Sequence, residues 1–467
     1  MTSFRLHLDP PEPVETTDAD TDADVDKAGG GRVGATPVDL RWAPGRVESN
    51  IECLPAFFHD WRPSPPAEDL LLLAATAFCV DKLASRRASP DAWTRTLQLE
   101  VPVGEPDRFA QSGLVETLGF LSGDHWNFDF VTSSARPLDF LPAPLELPGS
   151  APIDRVSLFS GGLDSLCGVI DLLETDPSTR IGLVGYHDGG QATSRQELLH
   201  RRLADHYGAH RLPLYQLWLR PAPPRPEQQH PTPTPVERTT RARSLLFVTA
   251  ALALASSAGP DVEVVIPENG YIALNVPLTR ARTSSASTRT THPHFLAGLQ
   301  RAARSIGVDN PLQNPYRYTT KGEMLTSSRN PTLLHQLAPL SVSCSHPEAA
   351  RMQQRAQGNC GYCFPCIIRR ASMAAAGWDD SSHYPWDALS DDDLLRRTDL
   401  ARGADLRAVV NGIYTSRPDL DLVRNAPLPT GTHAQHLSTW RRGNAEIRNW
   451  LEHGATGLLA STIGPLK

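Results

Sequence analysis

No apolar run in the 467-residue chain reaches the roughly 18 residues that a membrane span requires, and Met1 to Pro10 contain no signal-peptide core. The expectation is a cytoplasmic protein with no membrane partner. Positive charge is in deficit: 45 Lys and Arg face 52 Asp and Glu, a formal charge of −7. That balance argues against broad attraction to nucleic acid, while leaving room for a local basic groove. Cysteine is sparse, seven in all, and four of the seven fall in one region, which favours a metal site in a reducing compartment over a disulfide framework. Internal repeats are absent. The glycine turn at 160–165 has no lysine, so it is not the G-x-x-x-x-G-K-[ST] phosphate loop.

The length suits two to four domains. Residues 1–37, with the acidic run Asp18 to Asp24, read as a solvated, linker-like N-terminus. Residues 38–150 read as an α+β domain, with a buried helix at Leu70–Phe78 and alternating strands at Thr96–Val101 and Asn127–Val131. The proline-rich stretch 137–152 marks a boundary. From 151 to 378 strands and helices alternate: strands at Val156–Phe159, Ile181–Tyr186, Leu212–Leu219 and Val262–Ile266, with helices between. This rhythm predicts an α/β fold, a parallel sheet with helices on both faces. Pro213 places the third strand at an edge or makes it a strand start. Two inserts, Pro221–Pro235 and Thr279–Pro293, read as surface loops, and 379–467 as a helical C-terminal extension.

The densest chemical signal is Ser160-Gly161-Gly162-Leu163-Asp164-Ser165, between a predicted strand and the helix around Leu166–Leu173. Glycines permit positive φ and close backbone approach. The first turn of a helix offers unpaired N–H groups and a partial positive charge, so phosphate is the expected guest. The serines add hydroxyls, and Asp164 is a candidate magnesium ligand. The second signal is Cys360-Gly361-Tyr362-Cys363-Phe364-Pro365-Cys366, with Cys344 sixteen positions earlier. Three thiols at two-residue gaps plus a fourth suit tetrahedral zinc in a closed structural module at 344–366. His346 is an alternative to Cys344 as fourth ligand, and an iron–sulfur cluster an alternative to zinc. Cys53, Cys79 and Cys167 read as small core residues.

S-G-G-x-D-S resembles the PP-loop of ATP pyrophosphatases. With the cysteine pattern that follows, the chain resembles the 7-cyano-7-deazaguanine synthase (QueC) family over roughly residues 152–376. Gly185 to Gln191 with Glu197 resembles that family's second-strand motif, Arg241-Ala242-Arg243 its arginine-bearing helix start, and Lys321-Gly322-Glu323 its lysine–glutamate segment. Ser343-Cys344, the Cys360 cluster and Arg369-Arg370 resemble its metal module. The chain departs from the family at Pro267-Glu268-Asn269-Gly270-Tyr271 and at Ser287–Pro293, where the base pocket is shaped. These departures and the added terminal regions resemble the QueC-like proteins of bacterial antiphage defence operons, the QatC type. The resemblance implies ATP, Mg2+ and Zn2+ as cofactors. It further implies a deazapurine acid such as 7-carboxy-7-deazaguanine as substrate, with ammonia or an amine of a protein encoded nearby as acceptor.

On this reading the backbone and hydroxyls of Ser160, Gly161, Gly162, Leu163, Asp164 and Ser165 take the pyrophosphate and magnesium. Arg243, whose planar fork fits phosphate or carboxylate, and Lys321 are further candidates. Glu268 and Asn269 lie just past a predicted strand end, where ligands bind in such sheets, and Asp188 is a nucleotide-contact candidate. Arg289 and His292 are weaker ones. Two other readings compete with a carboxylate-activating ligase: a non-catalytic nucleotide-binding subunit of a defence assembly, and a tRNA-modifying PP-loop enzyme.

Overall fold

The computed structural model describes residues 2–7, 38–41, 47–50, 62–133, 152–187, 189–221, 237, 239, 241–277, 289–349, 351, 358–378, 384–396 and 402–464. Asp188, Cys53 and most of the expected linker, proline-rich boundary and surface loops lie outside them. Among the described residues no helix is long and apolar enough to cross a membrane.

The strands, in chain order, are β1 (Thr2–His7), β2 (Val38–Arg41), β3 (Val47–Ser49), β4 (Thr96–Val103), β5 (His125–Thr132), β6 (Arg155–Leu158), β7 (Ile181–Tyr186), β8 (Leu214–Leu217), β9 (Leu219–Pro221), β10 (Glu263–Val265) and β11 (Leu312–Gln313). Five form the central sheet in the order β11-β10-β6-β7-β8, every pairing parallel. The chain leaves β6 towards β7 on one side and later returns to place β10 on the other. A crevice therefore opens at the carboxyl ends of β6 and β10, the switch point of a doubly wound sheet. β8 begins directly after Pro213 and lies at the edge of the sheet.

Side-chain alternation sends the two faces of the sheet into different cores. Ile181 and Leu183 of β7 pack with Leu166, Ile170 and Leu199 from helices Leu163–Thr175 and Gln191–Tyr207. Val184 and Val264 pack on the opposite face with helix Arg243–Ala258. A Cβ on Gly182 would stand 3.0 Å from Leu254, so its absence lets that helix lie close.

The N-terminal region departs from the expected organisation. Thr2–His7, assigned above to a linker, is a strand that sits between β2 and β4 in a second parallel sheet of order β2-β1-β4-β5. Phe4 and Leu6 are buried and Arg5 is not, the alternation of a half-wet strand. Nor is its core separate. Helix Pro65–Leu83, apolar almost all round, packs against Arg243–Ala258, and one continuous apolar cluster joins both sheets. A buried ionic cluster of the N-terminal region lies at the junction: Arg95 reaches Asp81 and Asp124 at 2.6 Å each, Arg86 reaches Asp124 at 2.8 Å, and across the junction Asp81 accepts the Ala242 amide.

The C-terminal extension is helical, as expected. Helices Ala404–Thr415, Pro418–Asn425 and His433–Gly454 share a further apolar cluster with helix Phe364–Ala375, which leaves the cysteine cluster.

Candidate functional site

β6 runs into Ser160–Gly162, and helix Leu163–Thr175 starts at once. Gly161 has φ +76°, and a Cβ there would lie 3.0 Å from the Gln196 amide, so both conformation and space demand glycine. The first helical amides point into the turn. Gly162 N–H donates to Ser160 Oγ at 3.3 Å, and Leu163 N–H donates to Ser343 Oγ at 3.2 Å. Ser160 and Ser165 hydroxyls lie 3.3 Å apart. The turn thus gathers amides and hydroxyls in the pattern that receives an anion at a helix start.

Beneath the turn lies a buried charge cluster. Lys321 Nζ is 2.8 Å from Asp164 Oδ1, with the side chains 3% and 9% exposed. Asn269 donates to Asp164 Oδ2 through its side chain at 2.7 Å and its backbone amide at 3.2 Å. Burial opposes charge on Asp164, but the Lys321 ammonium and hydrogen bonds from Glu268, Lys321 and Asn269 hold its carboxyl down to about 2. Glu268 moves the other way. Burial and the Asp164 charge beside it push its carboxyl well above the usual range. The two neighbouring carboxyls are thus pushed apart, Asp164 towards its charged form and Glu268 towards its neutral one. Asp164, expected as a magnesium ligand, is engaged by Lys321 and Asn269, and Lys321, expected as a phosphate partner, is buried against Asp164.

Above the floor a cavity of about 240 Å³ opens at the ends of β6, β7 and β10. Ser160, Ser165, Gln196, Arg243 and Glu268 supply its polar wall, and Phe159, Tyr186, Phe247 and Ile266 its apolar wall. Tyr186 and Phe247 meet edge to face at 5.2 Å. Arg243 is exposed on the first turn of its helix. Gln196, a residue that sequence reasoning missed, is buried, donates to the Phe159 carbonyl and accepts from Gln216 at 2.7 Å. A Cβ on Gly185 would come 2.4 Å from it, so that glycine makes room for the glutamine. Arg289 and His292 belong to the seam with the N-terminal region. Arg289 lies over Phe120 at 4.4 Å, and His292 caps helix Pro293–Ser305 with Nδ1. Arg241 likewise sits over Trp93 at 4.3 Å.

The four cysteines converge. Cys344, Cys360, Cys363 and Cys366 sulfurs all lie within 4.8 Å of one another, with Cys344–Cys363 at 3.7 Å and Cys360–Cys366 at 3.9 Å. A tetrahedron with zinc–sulfur bonds of about 2.3 Å has edges of about 3.8 Å. The group can hold a single metal ion such as zinc, and its spacing is too tight to surround a multi-iron cluster. Amides of His346 and Cys360 donate to Cys344 Sγ at 3.3 Å, and that of Cys363 to Cys360 Sγ at 3.4 Å, which steadies thiolate charge. Cys344 is the fourth member; the exposed His346 ring lies beside Tyr362. Cys79 and Cys167 are buried core residues.

The metal module touches the turn directly. Val342 N–H donates to the Gly161 carbonyl at 3.1 Å, and the Ser343 hydroxyl caps Leu163, one residue before the first metal ligand. No protein-family model matches the chain, and none of the curated proteins compared with it is similar to it.

Proposed function

We propose that the chain is an ATP-dependent ligase that cuts ATP between its α and β phosphates and adenylates a carboxylate. The observation that carries this reading is the S-G-G-L-D-S turn lying at the switch point of a parallel sheet, with its amides gathered beside a cavity that has an exposed arginine and an apolar, partly aromatic wall. Such a wall suits a planar base, and the sequence resemblance points to 7-carboxy-7-deazaguanine or a related deazapurine in a bacterial antiphage defence system.

A carboxylate resists amines because its leaving group would be oxide. In the proposed first step a substrate carboxylate oxygen attacks the α-phosphorus, the bridge to the β-phosphate breaks, and pyrophosphate leaves. In the second an amine attacks the acyl carbon, AMP departs, and the amine proton passes to solvent. Placement and charge neutralisation suffice for both. The helix-start amides with Ser160 and Ser165 take the pyrophosphate, and Arg243 a phosphate or the acid. Asp164 and Lys321 fix the turn from below. The committed oxygens of Asp164 do not fit a magnesium ligand, so no step is assigned to that ion.

Pyrophosphate release from ATP, measured with a panel of deazapurine and other planar acids, tests the reading. Acid-dependent release that is lost in Arg243→Ala and Ser165→Ala supports it. Pure, metal-loaded protein that neither binds ATP nor releases pyrophosphate with any acid overturns it.

A further inference from the structure

The C-terminal extension has no part in the doubly wound sheet, yet its longest helix, His433–Gly454, grips both segments that hold Asp164. On one side is the turn before Lys321. The Thr320 hydroxyl donates to the Glu446 carboxylate while accepting the Glu323 amide at 3.1 Å, and Gly322 N–H donates to Glu446 at 3.3 Å. Arg442 pairs with Glu323 at 2.6 Å and donates to the Tyr318 carbonyl at 2.7 Å, which also accepts from Thr439. On the other side is the turn after Asn269. Tyr271 stacks on Trp440 at 4.6 Å and 10°, and its hydroxyl donates to Asn444 at 2.9 Å. The fit leaves no slack. A Cβ on Gly443 would come 2.1 Å from the Tyr271 ring, and one on Gly322 2.6 Å from Glu446.

We propose that helix His433–Gly454 is a positioning element of the site, with Glu446 and Arg442 seating the turn that holds the Lys321 ammonium against Asp164. The inference deepens the ligase reading but stands on a geometry that can be read without activity. Without Glu446 the Thr320 hydroxyl loses its acceptor, and the Gly322 amide is left unpaired in a buried setting. The turn then opens more often, and Lys321 reaches solvent in the open state. Trp440 and Asn444 act in parallel on Asn269.

The chain has four lysines, Lys27, Lys82, Lys321 and Lys467, which makes a clean assay possible. Reductive methylation of the full, metal-loaded chain is followed by peptide mass spectrometry, with Lys82 as internal reference. Glu446→Ala is expected to raise the Lys321 labelling rate by about tenfold relative to Lys82, the scale of one lost buried hydrogen bond. Glu446→Gln, which keeps an acceptor for Thr320, is expected to recover most of the protection. Arg442→Gln, at a half-exposed position, is expected to raise labelling by about threefold, the smaller effect of a partly exposed pair, and serves as the second variant if Glu446→Ala fails to fold. Lys321 labelling that stays at the native rate in the folded variants overturns the proposal. If the native chain shows no pyrophosphate release, the ligase reading fails, and the labelling still decides the positioning role.

Discussion

Lys321 and Asp164 form the pair on which the site's floor rests, and their burial sets the consequences of altering either. Removing one partner of a buried ion pair strands the other charge, at a cost of about 3–5 kcal/mol. Lys321→Met is therefore expected to lower stability by about that amount in urea unfolding, and Asp164→Asn by less, because neutral Asn can still accept from Asn269. Acid titration carries signs that can be worked out. Asp164 is held down to about 2 from 3.8, so its contribution is complete above pH 3.8 and is lost as pH falls towards 2. Burial pushes the His292 ring down to about 3 and His436 to about 4. For these bases stability is complete above about pH 6.5 and is lost as pH falls through that window, by at most about 1.4 kcal/mol per pH unit for each ring. Unfolding free energy measured from pH 7 to pH 4 is expected to decline, and the decline to flatten in His292→Gln. An unchanged slope in that variant would assign the loss elsewhere.

At the scale of elements, the metal module and the glycine turn are one unit. Ser341 is fixed by Arg369 and by Asn359, the residue before Cys360, and Val342 and Ser343 reach the turn from that anchored segment. Metal removal leaves four clustered thiols, three of them buried, without their common partner and frees the segment that caps Leu163. Treatment with a chelator is expected to release one zinc per chain in a colorimetric assay, to lower the melting temperature and to weaken nucleotide binding, although no metal ligand faces the cavity. Cys363→Ser is expected to do the same without chelator. A chain that loses its metal and keeps full nucleotide affinity would separate the module from the site.

Across the whole molecule, β1 lies inside a sheet whose core is continuous with that of the central sheet. Deleting residues 1–9 removes buried Phe4 and Leu6 and leaves the facing edges of β2 and β4 unpaired. The truncated chain is expected to be insoluble or to melt far below the full chain. A truncation that melts normally would show that β1 is dispensable. Four buried ions of the N-terminal region, Arg86, Arg95, Asp81 and Asp124, compensate one another, and Asp81 ties them to the start of helix Arg243–Ala258 through the Ala242 amide.

Local pattern alone carried the strand–turn–helix at Ser160, the alternation that makes a parallel sheet, the strand start after Pro213 and the three-cysteine core of the metal set, while the tertiary fold brought Cys344 to it. Each follows from periodicity, proline stereochemistry or ligand spacing within a short stretch of chain. Strand β11, two residues long, offered no period to read, and β1 was hidden by the acidic segment that follows it. The pairing of Lys321 with Asp164, the cap of Leu163 by Ser343 and the grip of Glu446 on Thr320 were decided by tertiary structure. Each joins residues more than a hundred positions apart. Burial made Lys321 and Asp164 a committed pair, because a charge removed from water is stable only beside its opposite.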